Sequence, residues 1–428
     1  MSTLFRDARL ADGRICDVRT ESGSITDVGD VTDDGPADRV VDADERLLLP
    51  GAIDAHVHFR EPGHSQKETW RTGSSSAAAG GVTTVVDQPN TSPPTVTGDA
   101  FDEKSSLAAD SHVDYGINGG VTPDWDPDSL FDRPLFALGE VFLADSTGDM
   151  GIDADLFAEA VERAAEADVV VTVHAEDADL FDETARERDA GGVGRDWSQY
   201  RRAEAEAAAV ERAVEVGAET DAAIHIAHTS TPEGVDAAVA GGATCEVTPH
   251  HLFLSRENAT ELGTYGRMNP PLRSEERREA LWQRLVDGDV DIVATDHAPH
   301  TVEEKETSLW DAPSGVPGVE TMLPLLLERA RRGAITYERV RDLTATNPAE
   351  IFDLPAKGRV AEGYDADLVL VDPEDEREIR GDDLHSKCGW TPFEGMIGVF
   401  PSLTLSRGEI VYDGEAVLGE PSGENVRR

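Results

Sequence analysis

Eight short apolar runs separated by helix-patterned stretches constrain this chain more than any other feature. They fall at residues 53–57, 82–87, 114–119, 135–142, 169–174, 222–227, 244–248 and 291–295. Amphipathic helices are predicted between them, for example over 155–167 and over the Ala- and Glu-rich 202–216. Strands that alternate with helices form a parallel sheet covered by those helices. Eight strands over about 300 residues is the count and size of a (β/α)8 barrel. The flanks read differently. Short β-like segments at 4–11, 14–20, 24–28 and 39–42 recur near the other end at 367–371, 403–406 and 409–412. The predicted fold class is therefore α/β. A (β/α)8 TIM-like barrel spans 52–354, and both chain ends, 1–51 and 355–428, form one small β-sandwich domain.

Composition excludes several roles. The chain has 38 Lys+Arg against 86 Asp+Glu, a formal charge of −48. A polyphosphate partner would be repelled, which excludes nucleic-acid binding. With 39% hydrophobic residues the chain still buries a large core. Lysine stands only at 67, 104, 305, 357 and 387. Many carboxylates with few lysines suit a protein kept soluble in concentrated salt, so the sequence reads as halophilic; the alternative is an ordinary acidic cytosolic enzyme. Cys16, Cys245 and Cys388 are far apart and make neither a disulfide framework nor a thiolate zinc site. No apolar run approaches the roughly 18 residues of a membrane span, and no signal peptide is visible. A cytoplasmic protein is expected.

Catalytic groups of such a barrel sit at the C-terminal strand ends. Strand one ends in His56-Val57-His58, and residues two apart on a strand face the same way. Strand four runs into Glu140, strand five ends at His174, strand six leads to His228 and strand eight to Asp296. Only 12 residues are histidine, so four at these positions stand out. Four imidazoles and two carboxylates suit two Zn²⁺-like ions. His250 and His251 are adjacent; read as strand neighbours they face opposite ways, and at least one is expected to be structural. His225 and His297 are expected to support better-placed neighbours.

Eight ordered motifs make the chain recognisable: GAIDAHVHFREPG at 51–63, QPNTSP at 88–93, VHAED at 173–177, HIAHTST at 225–231, EVTPHHL at 246–252, RMNPPLR at 267–273, ATDHAPH at 294–300 and GVPGVE at 315–320. Together they resemble the dihydroorotases of the amidohydrolase superfamily over nearly the whole chain. The resemblance implies reversible cyclisation of N-carbamoyl-L-aspartate to L-dihydroorotate in pyrimidine synthesis, with two zinc ions. His56 and His58 then match one ligand pair, His174 and His228 the other, and Glu140 a bridging position. Asp296 matches a ligand that also shuttles protons. Arg60, Asn90 and His300 match groups that hold the substrate carboxylate, with His58 beside them. Asn269, Ser314 and Gly315 match further substrate contacts. A guanidinium suits a carboxylate because it donates two charge-assisted hydrogen bonds.

Many relatives bridge their metals with a carboxylated lysine. This chain has no lysine between Lys104 and Lys305, so Glu140 is the expected substitute. Two glycines flanking Pro317 at 315–318 predict either a mobile cover or a turn entering a helix over 319–331. The readings to be distinguished are a hydantoinase, dihydropyrimidinase or allantoinase on the same barrel, and a non-catalytic scaffold. Homo-oligomer formation and association with an aspartate transcarbamoylase are both compatible with the family.

Overall fold

The computed structural model describes residues 2–31, 35, 37–143, 150–188 and 193–427. Sixteen strands are described, β1 to β16. Five open the chain: β1 (Ser2–Arg9), β2 (Ile15–Glu21), β3 (Ser24–Gly29), β4 (Arg39–Asp42) and β5 (Leu47–Pro50). The barrel strands follow: β6 (Ala52–Val57), β7 (Val82–Asp87), β8 (Asp114–Ile117), β9 (Leu138–Phe142), β10 (Val171–His174), β11 (Ile224–Ile226), β12 (Thr244–Val247) and β13 (Ile292–Val293). The chain closes with β14 (Leu368–Glu378), β15 (Ile397–Ser406) and β16 (Glu409–Tyr412).

The barrel strands pair in parallel, as β6-β7-β8 and as β9-β10-β11-β12-β13. Two bridges close the ring: Gly119 with Leu138, and Val57 with His297. The backbone N–H of His58 donates to His297 O at 2.8 Å at the second seam. Every residue of β6, β7, β9 and β10 is buried, which is why these strands read as apolar runs. Several strands are shorter than their runs; only Ile292–Val293 of 291–295 and Ile224–Ile226 of 222–227 pair as strand. The predicted helix at 155–167 is Ala154–Glu166, and that at 202–216 extends to Ala203–Thr220.

Both chain ends build the β-sandwich domain. Its strands bond in the order β16-β15-β14-β5-β1-β2-β3, with β4 on β1. Leu47–Pro50 is the strand that joins the two halves, parallel to β1 and antiparallel to β14. Its Pro-Gly ending masks it as a plain turn in sequence, but all four residues are buried. Phe5, Val18, Ile25, Leu48, Leu368 and Leu405 form this domain's own core. The last residues return to the barrel, where Tyr115 N donates to Glu424 O at 2.9 Å. No described helix is long and apolar enough to cross a membrane.

A buried ammonium joins the two bodies. Lys357 Nζ lies 2.6 Å from Asp367 Oδ2, 2.9 Å from Asp114 Oδ2 on β8 and 3.2 Å from Asp365 Oδ2. Burial works against this charge, but Asp367 and Asp114 outweigh it and raise the Lys357 pKa above its ordinary value. A raised folded pKa means the stabilisation is complete below the unfolded lysine value, about 10.4, and fades only as pH rises through the folded value. Lys357→Met leaves the carboxylates uncompensated and is expected to cost about 3–5 kcal/mol at neutral pH. Urea unfolding at fixed salt measures this, and an unchanged midpoint would contradict it.

Candidate metal centre and substrate cavity

The strand ends deliver their polar groups to one point. Glu140 Oε1 lies 2.9 Å from His174 Nδ1 and 2.5 Å from His228 Nε2. Its other oxygen, Oε2, lies 3.4 Å from His56 Nε2. His58 Nε2 is 2.9 Å from Asp296 Oδ1, which is 3.7 Å from His56 Nε2. Two donor sets result, His56–His58–Glu140 and Glu140–His174–His228, each with ligand atoms within 4.8 Å of one another. Glu140 belongs to both.

The ring nitrogens facing away from this point decide what the facing nitrogens can do. His56 Nδ1 contacts Glu246 Oε1 at 2.6 Å, His58 Nδ1 contacts Asn90 Oδ1 at 2.7 Å and His174 Nε2 contacts Glu176 Oε2 at 3.0 Å. Each outer partner accepts a ring hydrogen, which leaves the inner nitrogen its lone pair. His56 Nε2 is buried without a hydrogen-bond partner. Burial disfavours a charged His56, yet Glu246 and Glu140 raise its pKa well above the imidazole range. His174, equally buried, is pushed up to about 9 by Glu140 and Glu176. Burial also opposes an ionised Glu140, but His228 and His56 hold its pKa well below the usual range. Converging lone pairs around a carboxylate stabilise positive charge, so these residues fit a divalent cation.

Glu140 is placed by its neighbours. A Cβ on Gly139, whose φ is +137°, would sit 2.2 Å from Thr172 O and Oγ1, so only glycine lets β9 approach β10 here. Gln88 Oε1 accepts from the Glu140 N–H at 2.9 Å. Asp54 on β6 accepts from the Thr295 N–H at 2.9 Å and from its hydroxyl at 2.5 Å, beside Asp296. Glu246 Oε1 also accepts from the His228 N–H at 3.0 Å. Arg201 Nε donates to Glu176 Oε2 at 2.9 Å. Glu176 and Glu246 lie inside recognised motifs, but among 86 acidic residues neither stands out; the one weak signal is that Glu176 lies two residues beyond His174.

A cavity opens onto this centre. Its walls include His58, Arg60, Asn90, Glu140, His174, His228, Asn269, Asp296, Ser314 and Gly315, with Ala298 the one apolar member. His56 lies behind the centre. His300 is buried against the cavity wall: its Nε2 lies 2.8 Å from Ser314 O and 3.2 Å from Arg60 Nη2. Arg60 is 4% exposed and makes no ion pair among the described residues. Asn269 Oδ1 accepts from Trp197 Nε1 and from Ser314 Oγ, each at 3.2 Å, which keeps its amide hydrogens for a ligand.

The remaining histidines support this frame. Pro249 starts a short helix, Pro249–Phe253, so His250 and His251 are helix rather than strand neighbours. Both are buried; His251 Nε2 donates to Pro270 O at 3.0 Å, and neither belongs to a donor set. His225 contacts Thr244 Oγ1 at 2.8 Å and Glu246 at 3.3 Å. His297 Nδ1 accepts from the Gly318 N–H at 3.1 Å. That bond, together with Ala298 N to Val316 O at 2.9 Å, pins the 315–318 segment to the barrel, and the helix begins only at Met322. Of the two readings of 315–318, these bonds fit the turn that leads to the helix, and the segment is part of the wall.

Barrel, sandwich and a carboxylate-linked histidine centre define a metal-dependent amidohydrolase. A profile described as the amidohydrolase family matches residues 141–409, and one described as dihydro-orotase-like matches 45–234. The chain is 67% identical to the dihydroorotase of Halobacterium salinarum over 427 residues, 99% of this chain and 100% of that one. It is 36% identical to the allantoinase of Rubrobacter xylanophilus, covering 96% and 94%. Among solved structures, the L-hydantoinase (dihydropyrimidinase) from Arthrobacter aurescens superposes with a TM-score of 0.93 at 29% identity, covering 98% and 97%. The chain belongs to the dihydroorotase branch of the amidohydrolase family.

Glu246→Leu removes the acceptor that orients His56 and holds the His228 backbone N–H. It is expected to weaken metal binding about 10–100-fold. Competition with a chromogenic chelator reads this directly, and an unchanged affinity would remove Glu246 from the orienting role.

Proposed function

We propose that this chain catalyses the reversible cyclisation of N-carbamoyl-L-aspartate to L-dihydroorotate, the ring-closing step of pyrimidine synthesis. The observation that carries the choice of substrate is Arg60, a buried guanidinium in the cavity wall with no carboxylate partner among the described residues. Leaving such a charge unpaired is costly, so the site calls for an anionic ligand. Hydantoin and allantoin rings carry no carboxylate for it. The full-length identity to a dihydroorotase supports the same choice over the more distant allantoinase.

His56, His58, His174, His228 and Glu140 would hold the metal, with Glu140 shared between two ions. Nitrogen and oxygen donors without thiolate suit zinc. Bound divalent ions supply Lewis acidity here, lowering the pKa of water and polarising a carbonyl. Asp296 moves the proton. Burial raises its pKa, but the neighbouring imidazoles of His58 and His56 outweigh burial and hold it below the ordinary carboxylate value, so the carboxylate is ionised and ready to accept. In ring closure Asp296 takes a proton from the carbamoyl nitrogen as that nitrogen attacks the carboxyl carbon and forms the C–N bond; Asp296 passes this proton to a carboxyl oxygen, which takes one more from solvent and leaves as water as its C–O bond breaks. In ring opening the proton returns to the leaving nitrogen. Arg60 binds the other carboxylate and Asn269 offers its amide hydrogens, which together orient the chain for attack. Asn90, bonded to His58, steadies that imidazole and with it the wall.

A dihydroorotate hydrolysis assay at high salt tests the reading. Chelation is expected to abolish turnover and added Zn²⁺ to restore it; opening of hydantoin or allantoin with none of dihydroorotate would overturn the substrate. Glu140→Gln is expected to bind fewer than two ions per chain, and unchanged loading would reject the shared ligand. Asp296→Asn is expected to lower kcat by about 10²–10⁴-fold.

A further inference from the structure

His300 is held between a group that only accepts and one that only donates. Its Nε2 lies 2.8 Å from the Ser314 carbonyl oxygen, so Nε2 carries the hydrogen. Its Nδ1 lies 3.2 Å from Lys67 Nζ, an ammonium with only hydrogens to offer, so Nδ1 presents its lone pair. Glu304 reaches both: Oε1 is 3.0 Å from Lys67 Nζ and Oε2 is 3.8 Å from His300 Nδ1. Arg60 Nη2, also a donor, is 3.2 Å from the same Nε2, whose hydrogen goes to the nearer Ser314 carbonyl at 2.8 Å. Lys305, fully buried, bonds to Arg267 O at 3.1 Å and to Pro313 O at 2.9 Å on the far side. An imidazolium here would be buried and would face two cations, Arg60 and Lys67. Burial, then Arg60, hold the His300 pKa well below its ordinary value. The positive charge of this wall therefore comes from Arg60 in the cavity and from Lys67 one ring behind it.

We propose that Lys67 is a positioning and specificity-determining residue of the carboxylate subsite. It holds His300 as the neutral Nε2–H form that anchors the Ser314 carbonyl in the cavity wall. It also adds a second positive charge behind Arg60, which selects anionic over neutral rings. The proposal rests on the dihydroorotase reading. Lys67 is half-buried and backed by Glu304, so its charge is directed by geometry rather than left to the solvent.

The test uses the full-length, zinc-loaded protein in high salt. Dihydroorotate serves as the substrate. Dihydrouracil, the same ring without the carboxylate, is the competing neutral ligand. Lys67→Met is expected to raise KM for dihydroorotate about tenfold, with kcat within about twofold and the inhibition constant for dihydrouracil unchanged. Lys67→Arg, which keeps the charge and the donor, is expected to recover KM to within about threefold of the parent. Glu304→Gln removes the counter-charge and is expected to lower KM, an opposite sign that also serves if Lys67→Met fails to fold. Equal KM in Lys67→Met and parent overturns the proposal. So does an equal loss toward both ligands, or a rise of KM in Glu304→Gln. A parent that leaves dihydroorotate unbound and unreacted instead overturns the functional reading, and the proposal with it.

Discussion

One carboxylate facing the imidazoles of three strands is the constraint on which the rest of this structure depends. Glu140 can stay ionised while buried only if positive charge or hydrogen-bond donors surround it. The barrel supplies them by ending β6, β10 and β11 within two residues of His56, His174 and His228. Each imidazole in turn needs its far nitrogen fixed. Glu246 and Glu176 do that for His56 and His174, and Arg201 then neutralises Glu176. The demand passes outward until it reaches groups that solvent or backbone can satisfy.

The barrel and the main donors were legible because they follow periodicities. A repeat of apolar runs reports strand number, and a spacing of two places His56 and His58 on one face. The orienting carboxylates lacked such contrast. In a chain with 86 acidic residues, Glu176 and Glu246 look like any other solvated carboxylate. His250 and His251 were misplaced because Thr248-Pro249 is a helix start that an apolar-run reading merges with the preceding strand. His300 was assigned to the cavity from its motif. Packing sets it against the Ser314 carbonyl and the Arg60 guanidinium of that wall.

Charge separates by depth. The acidic excess lies largely at the surface, while the cavity wall gathers Arg60, with Lys67 and Lys305 behind it. Fully buried Lys104 pairs with Asp87 at 2.6 Å, and Asp87 accepts from the Phe59 N–H at 2.6 Å. That pair fixes the backbone between His58 and Arg60, so a buried ion pair far from solvent sets where the exposed chemistry occurs. Salt screens the outer charges but reaches these inner ones much less.

The distribution of lysine has a consequence for amine chemistry. Lys104, Lys305 and Lys357 are buried, Lys67 is largely enclosed, and only Lys387 is exposed. The folded protein therefore offers acylating reagents one open side-chain amine. That makes Lys387 a natural single point for attaching a dye or a surface, with the bond its Nζ donates to Ser65 O at 2.5 Å given up.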